Sequence, residues 1–275
     1  MKILLLFCMM LSISISTIGQ TNALIRPKYN AKDGAILGHN IGSYNNRPLY
    51  INNSSAFILT GDQPIARLVK DQYLFGTFMV AIERKGKRKW LQQCDQINSI
   101  YRAGRMAWEI TDKAFPGLKA NLEILPMEST TGMAIRVNVK GVQRGDILIW
   151  TFGGAQWREN QNLSWKLDIM GQPELLTWGF VPGECKNNMV ETKGRNYFVS
   201  LIDSISHNKI FTVFGICSST TKANISDAYA WKNPTTFKNV QSQQLPLLTG
   251  TVLLEEGKPV YWEFEALKQD VKSDL

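Results

Sequence analysis

Apolar and polar residues alternate along several segments of the chain. Residues 118–124, 133–139 and 260–266 each place an apolar side chain at every second position. A period of two puts one set of side chains on the buried face of a β-strand and the other set in water. These segments therefore predict strands of antiparallel sheets with one solvated face.

Other segments are apolar throughout, and turn signals separate them. Such runs predict central strands covered on both faces, and Gly, Pro and charged clusters predict the turns between them at intervals of about 10 to 15 residues. No segment keeps a helical period over three turns. We predict an all-β fold, a large antiparallel β-sandwich of the supersandwich kind with about 15 or more strands in two packed sheets. The apolar runs are residues 56–59, 75–82, 147–152 and 210–217.

The beginning of the chain differs from the rest. Lys2 precedes an uncharged apolar stretch, and small residues follow near Ala23, which predicts a signal peptide over residues 1–23. The stretch is shorter than the about 20 residues of a membrane span, although an uncleaved anchor remains the alternative. We expect residues 24–275 to form the sandwich, with a polar linker beginning at 268–275, and we expect a periplasmic or secreted protein without a membrane span after cleavage.

Charge and cysteine content narrow the choice of partners. The formal net charge is +8, and the basic residues are dispersed except at 84–89, which predicts a solvated hairpin turn. A nucleic-acid motif is missing, so we expect no nucleic-acid partner, while long-range attraction to an acidic polysaccharide is compatible with the charge. Cys94, Cys185 and Cys217 allow at most one disulfide, and three buried thiols are the alternative.

Most catalytic motifs are missing from the sequence. The two histidines, His39 and His207, lie far apart, and no zinc, nucleophile-elbow or phosphate-loop motif occurs, so we predict no metal and no cofactor. Glycoside hydrolysis requires only two suitably separated carboxylates, and sequence alone does not pair them. Glu109 and Glu263 are expected on solvated strand faces. The carboxylate candidates are Glu109, Asp112, Glu159, Asp168 and Glu174.

One stretch, FGGAQWRENQNLSWKLD at residues 152–168, contains the groups that bind sugars. Two glycines allow a sharp turn or a close approach, and tryptophan faces follow together with amides and an arginine. The alternative is a structural loop whose amides cap backbone groups. The predicted carbohydrate-binding residues are Gln156, Trp157, Arg158, Asn160, Asn162 and Trp165.

The eight tryptophans divide into two predicted groups. Trp108, Trp150 and Trp262 occupy core positions of predicted strands. The others lie near turns or polar segments, where exposure and a binding face are expected. These are Trp90, Trp157, Trp165, Trp178 and Trp231.

Several segments together resemble a known family, namely residues 45–69, 89–112, 152–166 and 174–188. They are similar to the N-terminal β-sandwich, a domain of unknown function, of exported proteins from polysaccharide-degrading Gram-negative bacteria. In that family the sandwich commonly precedes a helical six-hairpin glycosidase-like barrel, which usually carries the acid and base carboxylates. The resemblance implies a sandwich module that acts on a polysaccharide or oligosaccharide together with a barrel domain or partner chain.

Each of four hypotheses predicts a different surface. A module of a larger carbohydrate-processing protein requires an apolar, poorly covered patch where helices dock. A stand-alone carbohydrate-binding module requires an exposed tryptophan beside polar groups in a groove. A glycosidase active on its own requires two carboxylates about 5 to 10 Å apart across a cleft. A structural envelope protein requires no concave polar and aromatic site. We favour the first.

Overall fold

The computed structural model has the all-β architecture that the sequence predicts. Its described residues are 28–41, 47–51, 55–71, 73–128, 130–157, 181–218, 222–231 and 244–267. They form two large antiparallel sheets that pack as a sandwich, with short 3-10 turns at Leu91–Gln93, Pro182–Cys185 and Ala228–Trp231. The predicted signal peptide and the linker at 268–275 lie outside the described residues and stay predictions.

The strands are numbered in chain order. They are β1 (Tyr29–Lys32), β2 (Ala35–His39), β3 (Leu49–Tyr50), β4 (Ala56–Leu59), β5 (Ala66–Lys70), β6 (Tyr73–Arg84), β7 (Lys87–Trp90), β8 (Gln96–Arg102), β9 (Arg105–Thr111), β10 (Lys119–Pro126), β11 (Gly132–Lys140), β12 (Ile147–Gly153), β13 (Gln156–Trp157), β14 (Asn188–Lys193), β15 (Asn196–Ile202), β16 (Lys209–Cys217), β17 (Lys222–Asp227), β18 (Pro246–Leu253) and β19 (Val260–Ala266).

Ten strands form the first sheet, which we name sheet A, in the order β1-β2-β8-β9-β10-β11-β19-β16-β15-β14. Most neighbours are joined by hairpins, but β19 enters between β11 and β16, far from both in sequence. The alternation predicted for β10, β11 and β19 is present: their apolar positions are buried and most of the others are partly or fully exposed.

The remaining nine strands form sheet B, in the order β17-β18-β12-β6-β5-β4-β3, with β7 and β13 also paired to β6. Strand β6 is the centre of this sheet, because β5, β7, β12 and β13 all pair with it. Its residues are almost all buried, and so are those of β12. The apolar runs over 75–82 and 147–152 are therefore central strands covered on both faces, as predicted.

Large aromatic side chains fill the space between the two sheets. Trp108, Trp150 and Trp262 are at most 1% exposed, which confirms their predicted core positions. Phe152 of sheet B stacks on Phe264 of sheet A with ring centroids 3.9 Å apart. Aromatic pairs contribute about 0.5–1.5 kcal/mol beyond the area they bury, so these contacts help to hold the sheets face to face.

A second apolar cluster covers the outer face of sheet B. Trp90 and Trp231 are each 2% exposed and pack together with ring centroids 5.9 Å apart. The prediction that these two tryptophans are exposed is wrong, because the 3-10 turn Ala228–Trp231 folds back over Met79 and Ile149 of the sheet. A position near a turn does not expose a side chain when the turn itself covers a sheet.

Strand β16 departs from its prediction in the opposite way. Its residues alternate between buried and half-buried, so the apolar run over 210–217 is covered on one face only. The burial of sheet B on both sides depends on the turns that cover it, whereas Phe214 and Ile216 face outward from sheet A. The outward-facing apolar residues of β16 therefore form part of the surface of sheet A.

The basic segment at 84–89 forms the hairpin between β6 and β7, as predicted, but its first residue is not solvated. Arg84 is 4% exposed and makes two hydrogen bonds with Asp146, at 2.9 and 2.6 Å. Its other N–H groups donate to the carbonyl oxygens of Pro116 and Gly141. Desolvation opposes ionisation of Asp146, but hydrogen bonds from Arg84 and the Gln143 N–H lower its pKa below the ordinary value.

The three cysteines of the described residues are free thiols. Cys185 and Cys217 are buried and Cys94 is half-buried. No disulfide joins these three cysteines, and the alternative of three buried thiols holds for Cys185 and Cys217 but not for the half-buried Cys94. Burial raises the pKa of Cys94 to about 12, with the nearby Asp112 charge adding to the rise, so this thiol is a poor nucleophile at neutral pH.

Candidate functional site

The chain makes a double pairing with β6 at the start of the segment that the sequence singled out. It leaves β12 at Gly153, turns at Gly154, where φ is +82°, and pairs again with β6 as β13. A Cβ at Gly153 would lie 2.8 Å from Leu247 Cδ1, so a larger residue there would require the Leu247 side chain to shift. The two glycines thus serve the turn and a close packing contact.

A buried asparagine fixes this turn to sheet A. Asn188, the first residue of β14, accepts a hydrogen bond from the Ala155 N–H at 2.9 Å and donates one to the Ala155 carbonyl at 2.5 Å. Both backbone polar groups of the buried residue Ala155 are thereby satisfied by one side chain. The contact joins β13 of sheet B to β14 of sheet A and sets the geometry at this end of the sandwich.

A cleft of about 360 Å³ opens beside β13. Its apolar lining includes Trp157, Leu201 and Ile210, and its polar lining comes from three separate parts of the chain. These polar residues are Gln156 of β13, Lys186 and Asn187 before β14, and Asp203 and Ser204 after β15. The cleft therefore combines apolar and polar side chains, as small-ligand sites do.

Trp157 is held by other aromatic rings. Its ring meets Tyr73 edge-on with centroids 5.3 Å apart, and Tyr73 meets Phe211 in the same way at 5.5 Å. The indole N–H is buried and has no acceptor among the described residues. The half-buried Trp157 therefore offers the cleft apolar ring atoms and not its buried N–H donor.

A buried ion pair supports the wall that contains Lys186 and Asn187. This wall follows the 3-10 turn Pro182–Cys185, in which Glu184 pairs with Arg67 of β5, and both side chains are less than 10% exposed. Burial raises the pKa of Glu184, and the charge of Arg67 opposes that rise. Arg67 Nε and Glu184 Oε2 have no hydrogen-bond partner among the described residues.

The other wall is the turn between β15 and β16. Asp203 Oδ1 accepts hydrogen bonds from the Ile205 and Ser206 N–H groups, at 3.0 and 2.6 Å, which lower the pKa of Asp203 below its ordinary value. Backbone hydrogen bonds from Asp203 N–H to the Asn208 carbonyl and from His207 N–H to the Asp203 carbonyl close the turn. Asp203 is therefore an ionised acceptor on a well-defined loop.

The structure places two of the six predicted binding residues in this cleft. Gln156 and Trp157 line it together. The other predicted residues, Arg158, Asn160, Asn162 and Trp165, lie outside the described residues, as does Trp178, and their role stays a prediction. Sequence reasoning missed Lys186, Asn187, Asp203 and Ser204, because nothing local in the sequence indicates that these two turns meet β13.

A second cleft, of about 320 Å³, lies beside Asp95 and Asp112, between the start of β8 and the end of β9. Asp95 and Asp112 line it, but both carboxylates are used internally: Lys89 bridges them, and the N–H groups of Asp95, Lys113 and Ala114 donate to them. Among the carboxylate candidates, Asp112 is therefore structural.

Of the other carboxylate candidates, Glu109 pairs with Lys119 on the solvated face of sheet A, while Glu159, Asp168 and Glu174 lie outside the described residues. Within the described part of the chain, no group of three or more His, Cys, Asp or Glu side chains is arranged to hold a metal ion. In the same residues, no helix has the length and apolar character needed to cross a membrane.

The outer face of sheet A carries an apolar patch. Phe198 of β15 lies directly opposite Phe214 of β16, with ring centroids 5.6 Å apart. Ile216 is the next outward residue on β16, beside Glu263, and Tyr261 is 45% exposed on the neighbouring strand. We call Phe198, Phe214, Ile216 and Tyr261 the sheet A patch.

Comparison with known proteins gives a family. A family model described as a domain of unknown function, DUF4450, matches residues 73–272. No curated protein matches the chain by sequence. The family match confirms the resemblance to a domain of unknown function that the sequence segments indicated.

Two solved structures are similar to the chain over part of their length. A bacterial glucoamylase complexed with acarbose has 7% identity and a TM-score of 0.48, covering 85% of this chain and 36% of that chain. A putative kojibiose phosphorylase from human microbiome has 10% identity and a TM-score of 0.48, covering 87% of this chain and 33% of that chain. The chain spans about a third of the length of either protein. Because the family model covers more than half of its residues, the chain belongs to the DUF4450 family.

Proposed function

We propose that the chain is the β-sandwich module of an exported carbohydrate-processing protein and that the cleft beside Trp157 binds a polysaccharide or oligosaccharide. The observation that carries this proposal is the composition of the cleft, in which Trp157 lies with Gln156, Asn187, Asp203 and Ser204. A pyranose has apolar C–H faces and a rim of hydroxyl groups. An aromatic ring suits the faces, and amide, carboxylate and hydroxyl groups suit the rim.

Binding of oligosaccharides by the purified chain tests this proposal. We expect a glycan array to show binding, and Trp157→Ala and Gln156→Ala to weaken it when affinity is measured by titration calorimetry. Because Trp157 also packs on Tyr73, the Gln156→Ala variant separates loss of binding from loss of packing. Tyr229→Ala is the matched control, since Tyr229 is 67% exposed and is not part of the cleft lining.

Two results would count against a carbohydrate-binding cleft. The first is that no glycan binds to the chain. The second is that a bound glycan loses no affinity in either cleft variant while both remain folded by circular dichroism. Unfolding of Trp157→Ala with unchanged binding by Gln156→Ala would support the structural-loop alternative.

We also propose that the module acts with a helical six-hairpin barrel domain or partner chain that supplies the remaining catalytic residues. The sheet A patch supports this, because an apolar sheet face with Phe198 and Phe214 at its centre is suited to packing against an amphipathic helix. Glu191 lies directly opposite Phe198, and Glu265 and Glu263 lie opposite Phe214 and Ile216, so a docked helix would need basic or polar residues on both sides of its apolar strip.

Co-expression with a helical glycosidase-like protein encoded beside this chain tests the proposed partnership. We expect a 1:1 complex in size-exclusion chromatography with light scattering, and we expect Phe214→Lys to abolish it. Tyr50→Lys is the control, because Tyr50 is 73% exposed on sheet B. A complex that survives Phe214→Lys, or no complex, would contradict docking at this patch. Sequencing of the mature N-terminus checks export, with Leu24 expected as the first residue.

A further inference from the structure

We infer that the cleft selects an uncharged sugar and that Asp203 sets this preference, with Lys186 as its hydrogen-bonding companion. This inference rests on the proposed carbohydrate binding and adds a substrate class to it. Both residues line the cleft, and they come from the two walls that the sequence did not connect. Their opposite charges leave the described lining close to neutral overall.

The Asp203 carboxylate is held by its own turn and still lines the cleft. Its Oδ1 accepts hydrogen bonds from the Ile205 and Ser206 N–H groups, and the side chain is half-buried at the cleft, where a carboxylate can accept further hydrogen bonds from a ligand. The turn fixes the carboxylate before any ligand arrives, so little ordering entropy is lost on binding. A fixed, ionised acceptor is suited to the hydroxyl hydrogens of a sugar.

Lys186 is exposed at the cleft and forms no ion pair with the described residues. Its ammonium group only donates hydrogen bonds, whereas ionised Asp203 only accepts them. A hydroxyl group can do both, so a sugar with two neighbouring hydroxyls can satisfy the pair. Hydrogen bonds to charged groups are stronger than those between neutral groups.

An acidic sugar meets the opposite situation at Asp203. A uronate or sulfate group bound beside Asp203 would meet a like charge there, and like charges brought together at an interface oppose binding. The net charge of +8 attracts acidic polymers from a distance, but that attraction is largely screened beyond about 8 Å at 0.15 M ionic strength. Under physiological salt the short-range repulsion from Asp203 therefore counts for more than this long-range attraction.

The test compares the binding of neutral and acidic oligosaccharides at 0.15 M salt, where the Debye length is about 8 Å. The neutral probes are malto-, xylo- and manno-oligosaccharides, and the acidic probe is an oligogalacturonate of matched length. We expect the chain to prefer a neutral probe, and Asp203→Asn to weaken neutral binding by about tenfold or more, the loss of one charge-assisted hydrogen bond. The same variant should bind the acidic probe better than the unchanged chain does.

The choice of asparagine and one control variant outside the cleft keep the interpretation specific. Asparagine retains an Oδ1 that accepts from Ile205 and Ser206, so the turn should stay folded. Asp33→Asn makes the same change of charge on the exposed β1–β2 turn, where φ is +50° and asparagine is well tolerated, and it should leave both affinities unchanged. Lys186→Gln should weaken neutral binding less than Asp203→Asn does.

The outcomes separate this inference from the proposed function. If Trp157→Ala weakens binding but Asp203→Asn leaves neutral affinity unchanged, the cleft binds sugar and the role of Asp203 is wrong. A preference for the oligogalacturonate that Lys186→Gln removes overturns the neutral class and keeps the cleft. If no probe binds, the proposed function and this inference both fail.

Discussion

The buried pair of Arg67 and Glu184 offers a sharp test of what holds the cleft wall in place. Burying two ions costs several kcal/mol per ion, and only good geometry with additional hydrogen bonds offsets that cost. Here Arg67 Nε and Glu184 Oε2 both have no partner among the described residues. The pair therefore satisfies only part of the hydrogen-bonding capacity that it removes from water.

A double-mutant cycle with Arg67→Met and Glu184→Leu measures this balance. Each single change leaves one buried charge unpaired, which typically destabilises a protein by about 3–5 kcal/mol. The double variant removes both charges and fills similar volume. We expect its free energy of unfolding to be within about 1 kcal/mol of that of the unchanged chain, or higher. The coupling between the two sites is then several kcal/mol, far beyond the about 0.5 kcal/mol of independent sites.

Urea unfolding followed by tryptophan fluorescence gives the free energies of unfolding by linear extrapolation. The matched comparison is Arg84→Met with Asp146→Leu, a buried pair of the same charge types. The free energy of unfolding of that double variant should be well below that of the unchanged chain. The reason is that the carbonyls of Pro116 and Gly141 lose their hydrogen-bond donors, which costs about 1–3 kcal/mol for each unsatisfied group. A double variant of Arg67 and Glu184 as unstable as the sum of its singles would refute the reasoning.

The pH dependence of the same cycle has a defined sign. Burial raises the pKa of Glu184 above its ordinary value of 4.5, so the folded state binds this proton more tightly than the unfolded state. Stability contributed by such a group is greatest below pH 4.5 and is lost as the pH rises through the folded value. We therefore expect the free energy of unfolding of the double variant to rise relative to that of the unchanged chain as the pH rises from 4.5 toward neutrality.

Two further predictions concern the core and the Arg84 anchor. Gly250→Ala should lower stability by about 1–3 kcal/mol, since its Cβ would overlap the indole of Trp150; calorimetric melting checks this against Gly183→Ala, whose Cβ meets nothing within 4 Å. Arg84→Met should cost about 3–5 kcal/mol in urea unfolding at neutral pH, against less than about 1 kcal/mol for Arg88→Met at a partly exposed pair. The Arg84 effect should be complete above pH 3.8 and shrink as the pH falls through the lowered folded pKa of Asp146; an effect independent of pH would contradict the ion pair as its source.

The sequence alone predicted the alternating strands β10, β11 and β19 and the apolar strands β4, β6, β12 and β16, and for most of these it predicted which side chains are buried. The period of two in β10, β11 and β19 and the apolar runs of β6 and β12 are local properties, because alternating Cβ directions are built into any extended chain. The same reasoning placed Trp108, Trp150 and Trp262 in the core. It also predicted Gln156 and Trp157 as binding residues, because glycines, an amide and an aromatic ring follow one another there; both line the cleft, and their binding role stays a prediction.

Only the tertiary structure decided which distant segments meet. The insertion of β19 between β11 and β16, the burial of Trp90 with Trp231, and the meeting of Asp203 and Lys186 at Trp157 all depend on pairing between residues far apart in the chain. Local pattern sets the face of a strand but not its neighbour. The sequence around a turn residue such as Asp203 does not indicate which residues it faces. Its neighbours are fixed by the register of the two sheets and by the hydrogen bonds of Asn188 with Ala155, which join the sheets.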